Sequence, residues 1–344
     1  MASSWRALRR RLLTPNISAT KLGNRGFHEK SPAARELLES IGATFLTGYG
    51  HAAEARTPAA AEERLEQIPA QFRGFAYEGA AMGLAVMDGL PFGGGGRLDQ
   101  LLSGRGKDHV YMAYVGLGWA MARLPRFRWP DRRALDPLLR WLVLDGYGFH
   151  QAYFRTDRYV HQQFQDPRFP WPGPADPYAN RAIDQGIGRC LWFVGGTDVD
   201  VVATLVDRFA EHRRPDLFSG VGLAATYAGG ADEPELRELR RRAGEHRAQL
   251  AQGSAFAAEA RVRAGLVVPH TAVATRVFCG LTPAEAARVS RNAQPEPVDG
   301  DRPAYEVWRQ RVVAQFASQA ASQAASQAAS SSPSESSIRG GVTS

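Results

Sequence analysis

The chain has 344 residues, 44% of them hydrophobic, two cysteines and a formal net charge of +7, long enough to bury a substantial core in one large or two ordinary domains. The charge does not indicate a nucleic-acid binder. Arg6, Arg9, Arg10, Arg11, Lys21, Arg25 and Lys30 against Glu29 alone place +6 of the total in residues 1–30, which leaves a nearly neutral body with no basic stripe for phosphates. Cys190 and Cys279 lie outside any CxxC or Cys/His cluster, so neither a disulfide framework nor a zinc site is expected, and both read as buried, reduced thiols.

The first thirteen residues lack the apolar core and small-residue cleavage site of a signal peptide, because Arg9, Arg10 and Arg11 interrupt the hydrophobics. Trp5, Leu8, Leu12 and Leu13 beside those arginines predict a basic amphipathic helix that either packs on its own domain or lies on anionic lipid or a partner. The longest weakly polar stretch, Val110 to Ala122, falls short of the roughly 20 residues a membrane-spanning helix needs. A cytoplasmic protein is expected, with peripheral membrane contact through residues 1–13 as its variant.

Helix starts are marked by Ser31-Pro32, Thr57-Pro58, Asp136-Pro137 and Thr282-Pro283, a capping side chain before a proline suited to the first helical position. Thr282 with Glu285 adds a capping-box spacing. Ala33 to Phe45, Ala59 to Ile68, Asp200 to Arg213 and Glu233 to Arg263 carry apolar residues at three- and four-residue intervals, whereas period-two alternation is scarce. The fold class is therefore mainly α, a multi-helix single domain. Residues 1–30 form a basic N-terminal segment and 31–316 an all-helical body. The Ala/Ser/Gln-rich stretch 317–344 reads as a disordered tail, helical at most near its start.

Pro91 to Gly106 and Asp166 to Asn180, rich in glycine and proline, read as loops. Gly93 to Gly96 followed by Arg97 is not a phosphate cradle, since no Gly-Lys-Ser/Thr follows and no strand precedes. Gly220-Val221-Gly222-Leu223-Ala224-Ala225 fits a dinucleotide fingerprint formally, without its strand. His28, His51 and His109 read as surface or loop histidines, and His270 as a helix cap or cavity residue.

Five Gly-x-Gly steps recur in this helical sequence, at Gly48/Gly50, Gly116/Gly118, Gly146/Gly148, Gly186/Gly188 and Gly220/Gly222. Each glycine inside a helix costs about 0.8–1.0 kcal/mol against alanine, so their repeated use implies backbones or a ligand approaching where a Cβ would clash. Nearby aromatics suggest an apolar, glycine-relieved cavity between helices. An echo between residues 45–81 and 193–224, with a second between 115–149 and 221–256, suggests paired-helix repeats in an arc or toroid around that cavity.

Ionisable groups set among these glycines are the candidate chemistry. Asp145, His150, Asp184 and Glu78 are the acid/base candidates, because desolvation disfavours a carboxylate's charge and makes it a proton donor. Tyr77, Trp119, Tyr147, Phe149, Tyr153, Arg189 and Trp192 are the candidate substrate-binding residues. None of the acidic groups has a metal-ligand spacing such as Glu-x-x-His, so no metal is assigned and no cofactor is read.

At the stretches Leu22–Phe27, Arg73–Met82, Asp145–His150, Asp184–Phe193, Ser219–Ala224 and Pro269–Thr271, the chain resembles a family of unknown function found in the conserved core cassettes for enediyne polyketide biosynthesis. The resemblance covers about residues 5–312. It implies secondary metabolism, in which such proteins accompany an iterative synthase that releases linear conjugated polyenes and help turn these into the enediyne core. The leading expectation is an accessory antibiotic-biosynthesis enzyme that folds or modifies a polyene by acid/base chemistry in an aromatic-lined cavity. The alternatives are a non-catalytic polyene carrier or scaffold for membrane-associated cassette partners, and a terpene-cyclase-like helical enzyme.

Overall fold

The structure, a computed structural model, describes residues 2–90, 95–171, 178–296 and 302–331, with the side chains of residues 2, 3 and 323–331 excepted. Among the described residues there is no strand. The first elements are α1 (Ala2–Leu13), a short α2 (Leu22–Arg25), α3 (Pro32–Glu54), α4 (Pro58–Leu65), α5 (Ala70–Gly89), α6 (Arg97–Ser103), α7 (Val110–Met121) and α8 (Trp141–Phe154). They are followed by α9 (Tyr178–Val194), α10 (Val199–Asp207), α11 (Arg214–Ala228), α12 (Glu233–Arg242), α13 (Arg247–Arg263), α14 (Pro269–Cys279), α15 (Pro283–Asn292) and α16 (Ala304–Ser331).

Side-chain caps set many of these boundaries. Ser31 accepts from the Ala34 N–H and Thr57 from the Ala60 N–H, while Thr282/Glu285 and Asp232/Glu235 form full capping boxes. Asp136 instead caps a turn, accepting from the N–H groups of Leu138 and Leu139 just before α8. The periodic run from Asp200 ends at Asp207, and that from Glu233 divides at Gly244, where φ is +55°. Part of the expected loop Pro91–Gly106 is helical, as α6; residues 91–94 and 172–177, including Gly93, Gly94 and four of the prolines, lie outside the described residues. Helix α16 carries the chain through 317–331 as helix, and 332–344 lie outside the described residues.

Helices α3, α5, α7, α8, α9, α11 and α13 pack in that order into a coiled row of staves, and the shorter segments between them return the chain along the outside. Sequential neighbours run parallel. The starts of α8 and α9 meet as Trp141 packs on Tyr178, those of α9 and α11 as Arg181 binds Asp216, while the Trp192 indole N–H near the end of α9 donates to the Gly229 carbonyl at the end of α11.

Gly-x-Gly explains the spacing. Residues i and i+2 lie about 200° apart on a helix, so one glycine faces each neighbouring stave. A Cβ on Gly146 would meet the Val115 carbonyl oxygen of α7 at 2.1 Å, and one on Gly148 the Ile183 oxygen of α9 at 2.2 Å. Gly186 faces Asp145 and Gly188 faces Leu217; Gly220 faces Gln185 and Gly222 faces Leu250. Gly50 is the exception, where a Cβ would meet the Arg10 side chain of α1 at 3.0 Å; the other glycines of these steps relieve backbone-to-backbone crossings and do not line a void. This common demand also accounts for the internal echoes.

The row closes on itself. Arg261 at the end of α13 donates to the carbonyls of Ala70 and Gln71 at the start of α5 and to Tyr227 of α11, with its guanidinium 4.0 Å over the Tyr227 ring. Helix α16 seals one end of the enclosed space with Tyr305, Trp308 and Arg309. Helix α3 and residues 15–25 cover the other, where Thr20 would contact a Cβ on Gly42 at 2.7 Å and Arg25 lies 4.6 Å over the Phe154 ring.

Candidate functional site

The staves enclose an apolar cavity walled by Phe45, Phe75, Trp119, Phe149, Phe193 and Tyr227, among others. About 80 Å³ of it can hold the centre of a water-sized sphere, so it is a narrow space. Glu78, His150 and Arg189 are the ionisable groups in its deep wall, each at most 9% exposed. Pro15, Ala19, Gly42, Arg123 and Phe154, all partly or fully exposed, mark one mouth; Leu223, shared with a neighbouring space, is also partly exposed. A second apolar space lies beyond Arg189, toward α16, and Asp145 and Arg189 both border it.

Glu78 is held in α5 among small residues, and burial raises its carboxyl pKa to about 7 despite the opposing Arg189 charge. Its Oε1 is 4.0 Å from Arg189 Nη2, a loose pairing. The Arg189 guanidinium is engaged more closely by Asp145, whose other oxygen accepts from Gln185 Nε2 at 2.9 Å. Gln185 in turn donates to the Tyr305 hydroxyl at 2.9 Å. Burial works against the Arg189 charge, but Asp145 and Glu78 outweigh it and keep its pKa raised. The result is one firm ion pair, Asp145 with Arg189, and one carboxyl that holds or yields a proton near neutrality.

His150, on α8, borders the same cavity beside Trp119. Burial, aided by Arg123, Arg155 and Arg25, drives its pKa down to about 3, so its ring is neutral. It meets the edge of Trp119 at 5.4 Å between ring centroids and leans on Phe154 at 4.6 Å, and its Nδ1 has no hydrogen-bond partner among the described residues. A neutral imidazole with a vacant nitrogen can hydrogen-bond a ligand.

Six of the sequence candidates share the central cavity: Glu78, His150, Trp119, Phe149, Tyr153 and Arg189. Asp145 reaches it only through Arg189. The other four face elsewhere. Asp184 is clamped by Arg213 Nε at 2.9 Å and Nη2 at 2.5 Å and accepts from Gln165 Nε2 at 3.0 Å; burial raises its pKa to about 6 against the pull of Arg213. Tyr77 donates to Glu66 Oε1 at 2.6 Å and stacks on His109 at 3.8 Å. Tyr147 packs on Trp129 and Phe169 outside the row, and Trp192 is fully buried with its N–H on Gly229.

His109 is not a surface histidine: it is 5% exposed, and burial lowers its pKa to about 4. His270 Nε2 lies 3.1 Å from the Tyr227 carbonyl, away from the cavity lining. Cys190 and Cys279 are buried free thiols. Residue reasoning missed Phe45, Phe75, Phe193 and Tyr227 as wall residues, although each lies within eight residues of a glycine crossing. It also missed the buried cluster in which Asp216 and Glu306 bind Arg181, and Asp216 binds Arg309 at 2.7 Å.

Residues 4–316 match the family described as a protein of unknown function, DUF1702. The chain belongs to the DUF1702 family. No curated protein and no solved structure matches it. The matched span takes in the DUF1702 chain from α1 to the buried part of α16, so the N-terminal segment at the cavity mouth and the seal at its other end both lie inside the family region.

Proposed function

We propose that this DUF1702 protein binds a slender, apolar, unsaturated molecule in its central cavity and moves a proton to or from it through Glu78. In the setting implied by the sequence resemblance, the ligand is a linear conjugated polyene of enediyne polyketide assembly. The observation that carries the reading is Glu78 itself: a carboxyl with a pKa near 7 facing a cavity walled by aromatic rings. Arg189 stands beside it to stabilise negative charge that develops as a carbon acid loses its proton, and neutral His150 offers a hydrogen bond to a ligand polar group. The small volume and aromatic lining of the cavity favour a slim apolar chain over a folded isoprenoid, and among the described residues no three His, Cys, Asp or Glu side chains converge as a terpene-cyclase metal site requires.

The test uses purified protein and a linear polyene. Quenching of tryptophan fluorescence, assigned to Trp119 by its reduction in Trp119→Phe, reports binding, and product analysis reports turnover. Glu78→Gln is expected to keep binding and lose at least about 100-fold in conversion, the scale of one acid/base group. Conversion by Glu78→Gln at the wild-type rate rejects the acid/base role, and absence of quenching in the wild type rejects the ligand. A carrier is the second reading, favoured by the engagement of Arg189 with Asp145, which leaves few polar groups to act on a ligand. Tight binding with no product from any polyene, in the presence of the polyene synthase, would decide for it.

A further inference from the structure

We propose that α1 docks this protein on an anionic lipid bilayer, with the cavity mouth beside the docked face. The apolar stripe of α1 is turned away from the protein. Trp5 is 62% exposed, Leu8 45% and Leu12 70%, and their spacing of three and four residues aligns them on one helix face. The helix is fastened along its flank and far side: Arg9 donates to the carbonyls of Ala53 and Ala55, Arg10 pairs with Glu54 at 2.9 Å, and Leu13 packs on the core. A helix held by its arginines and presenting tryptophan and leucine to water is the reverse of an ordinary surface helix. Among the described residues, no packing contact accounts for it.

Charge complementarity selects the occupant. Residues 1–30 carry seven cationic side chains against one glutamate; Arg10, Lys21 and Lys30 are paired with Glu54, Glu39 and Glu235, while Arg11 is exposed beside the stripe. Lipid headgroups of negative charge attract such a segment while Trp5, Leu8 and Leu12 enter the headgroup boundary. Continuity with the cavity is the second observation. The chain leaving α1 supplies Pro15, Ala19 and Thr20 to the mouth and exposes Ile17 by 51%. Four residues beyond the lining residue Arg123, Phe127 is exposed by 81% between Arg126 and Arg128. A membrane-dissolved apolar ligand would thus reach the cavity without crossing water. That delivery rests on the ligand reading above; the docking itself does not.

The experiment is vesicle co-sedimentation of the full chain with phosphatidylcholine alone and with phosphatidylcholine containing phosphatidylglycerol. Sedimentation with the anionic vesicles only, at least about tenfold weaker after Arg11→Glu and abolished in the combined Trp5→Ser, Leu8→Ser, Leu12→Ser variant at unchanged thermal midpoint, is the expected result. No sedimentation, equal binding to neutral vesicles, or undiminished binding by the triple variant overturns it. So does a dimer in light scattering that the triple variant splits, because a second copy would then cover the stripe. Vesicle binding lost with polyene quenching intact removes the docking alone; the reverse removes the ligand alone.

Discussion

Glu78 makes stability respond to pH in a direction set by its surroundings. Its folded pKa of about 7 stands above the model-peptide value of about 4.5, so its contribution is fully present below about pH 4.5 and is lost as pH rises through 7. At about 1.36 kcal/mol per unit, the loss approaches about 3 kcal/mol. Urea denaturation of wild type and Glu78→Gln at pH 5 and pH 8 should show the variant gaining on the wild type by that order as pH rises; parallel curves would refute the assignment. His150 acts in the opposite sense, its lowered pKa withdrawing stability as pH falls from about 6.5 toward 3, which is why the paired comparison is needed. Asp184, the other strongly buried acid among the candidates, belongs to a clamp. Removing its charge leaves Arg213 buried and unpaired, and Asp184→Asn should cost about 3–5 kcal/mol in denaturant unfolding with polyene affinity unchanged in the folded fraction. Sequence could place Glu78 and Asp184 equally in buried helices; it could not tell them apart, because the arginine that neutralises Asp184 stands 29 positions away on the approach to another helix.

At the scale of helices, glycine was the most legible signal. The Gly-x-Gly steps announced close approach from local cost alone, and the structure shows the approaching atoms, at all but Gly50, to be carbonyl oxygens of neighbouring staves. The sequence did not distinguish a neighbour from a ligand, since both require the missing Cβ. Aromatics one helical face away, such as Phe149 after Gly148, were what lined the void. Gly186→Ala gives the decisive check: its Cβ would lie 1.9 Å from the Asp145 oxygen, so α8 and α9 must separate. Gaining about 0.8–1.0 kcal/mol of helix propensity, the variant should still lose at least about 3 kcal/mol by urea unfolding, at or beyond the usual overpacking range. Gly23→Ala in α2, whose nearest neighbour would stand at 3.6 Å, serves as the near-neutral control. An equal response in both variants would remove the crossing argument. Helix boundaries were readable where caps were local, as at Thr282, and unreadable where tertiary contacts drew helix out of glycine-rich sequence, as in α6.

Across the whole molecule, closure of the row depends on few groups. Arg261 is fully buried and spans three helices through backbone carbonyls, a long-range arrangement that no window of sequence reveals. Arg261→Met should raise hydrogen exchange at residues 69–74 and around Tyr227 by at least about tenfold, with the α8–α9 crossing unaffected; uniform exchange across the staves would show that closure is not local to this arginine. Backbone-to-backbone seams have a kinetic consequence as well. Walls joined so closely cannot part sideways to admit a guest, so exchange with the interior must run along the axis, past Thr20 and Phe154. Residence time would then be governed by the short stretch between α1 and α3, leaving the staves themselves as bystanders to the traffic.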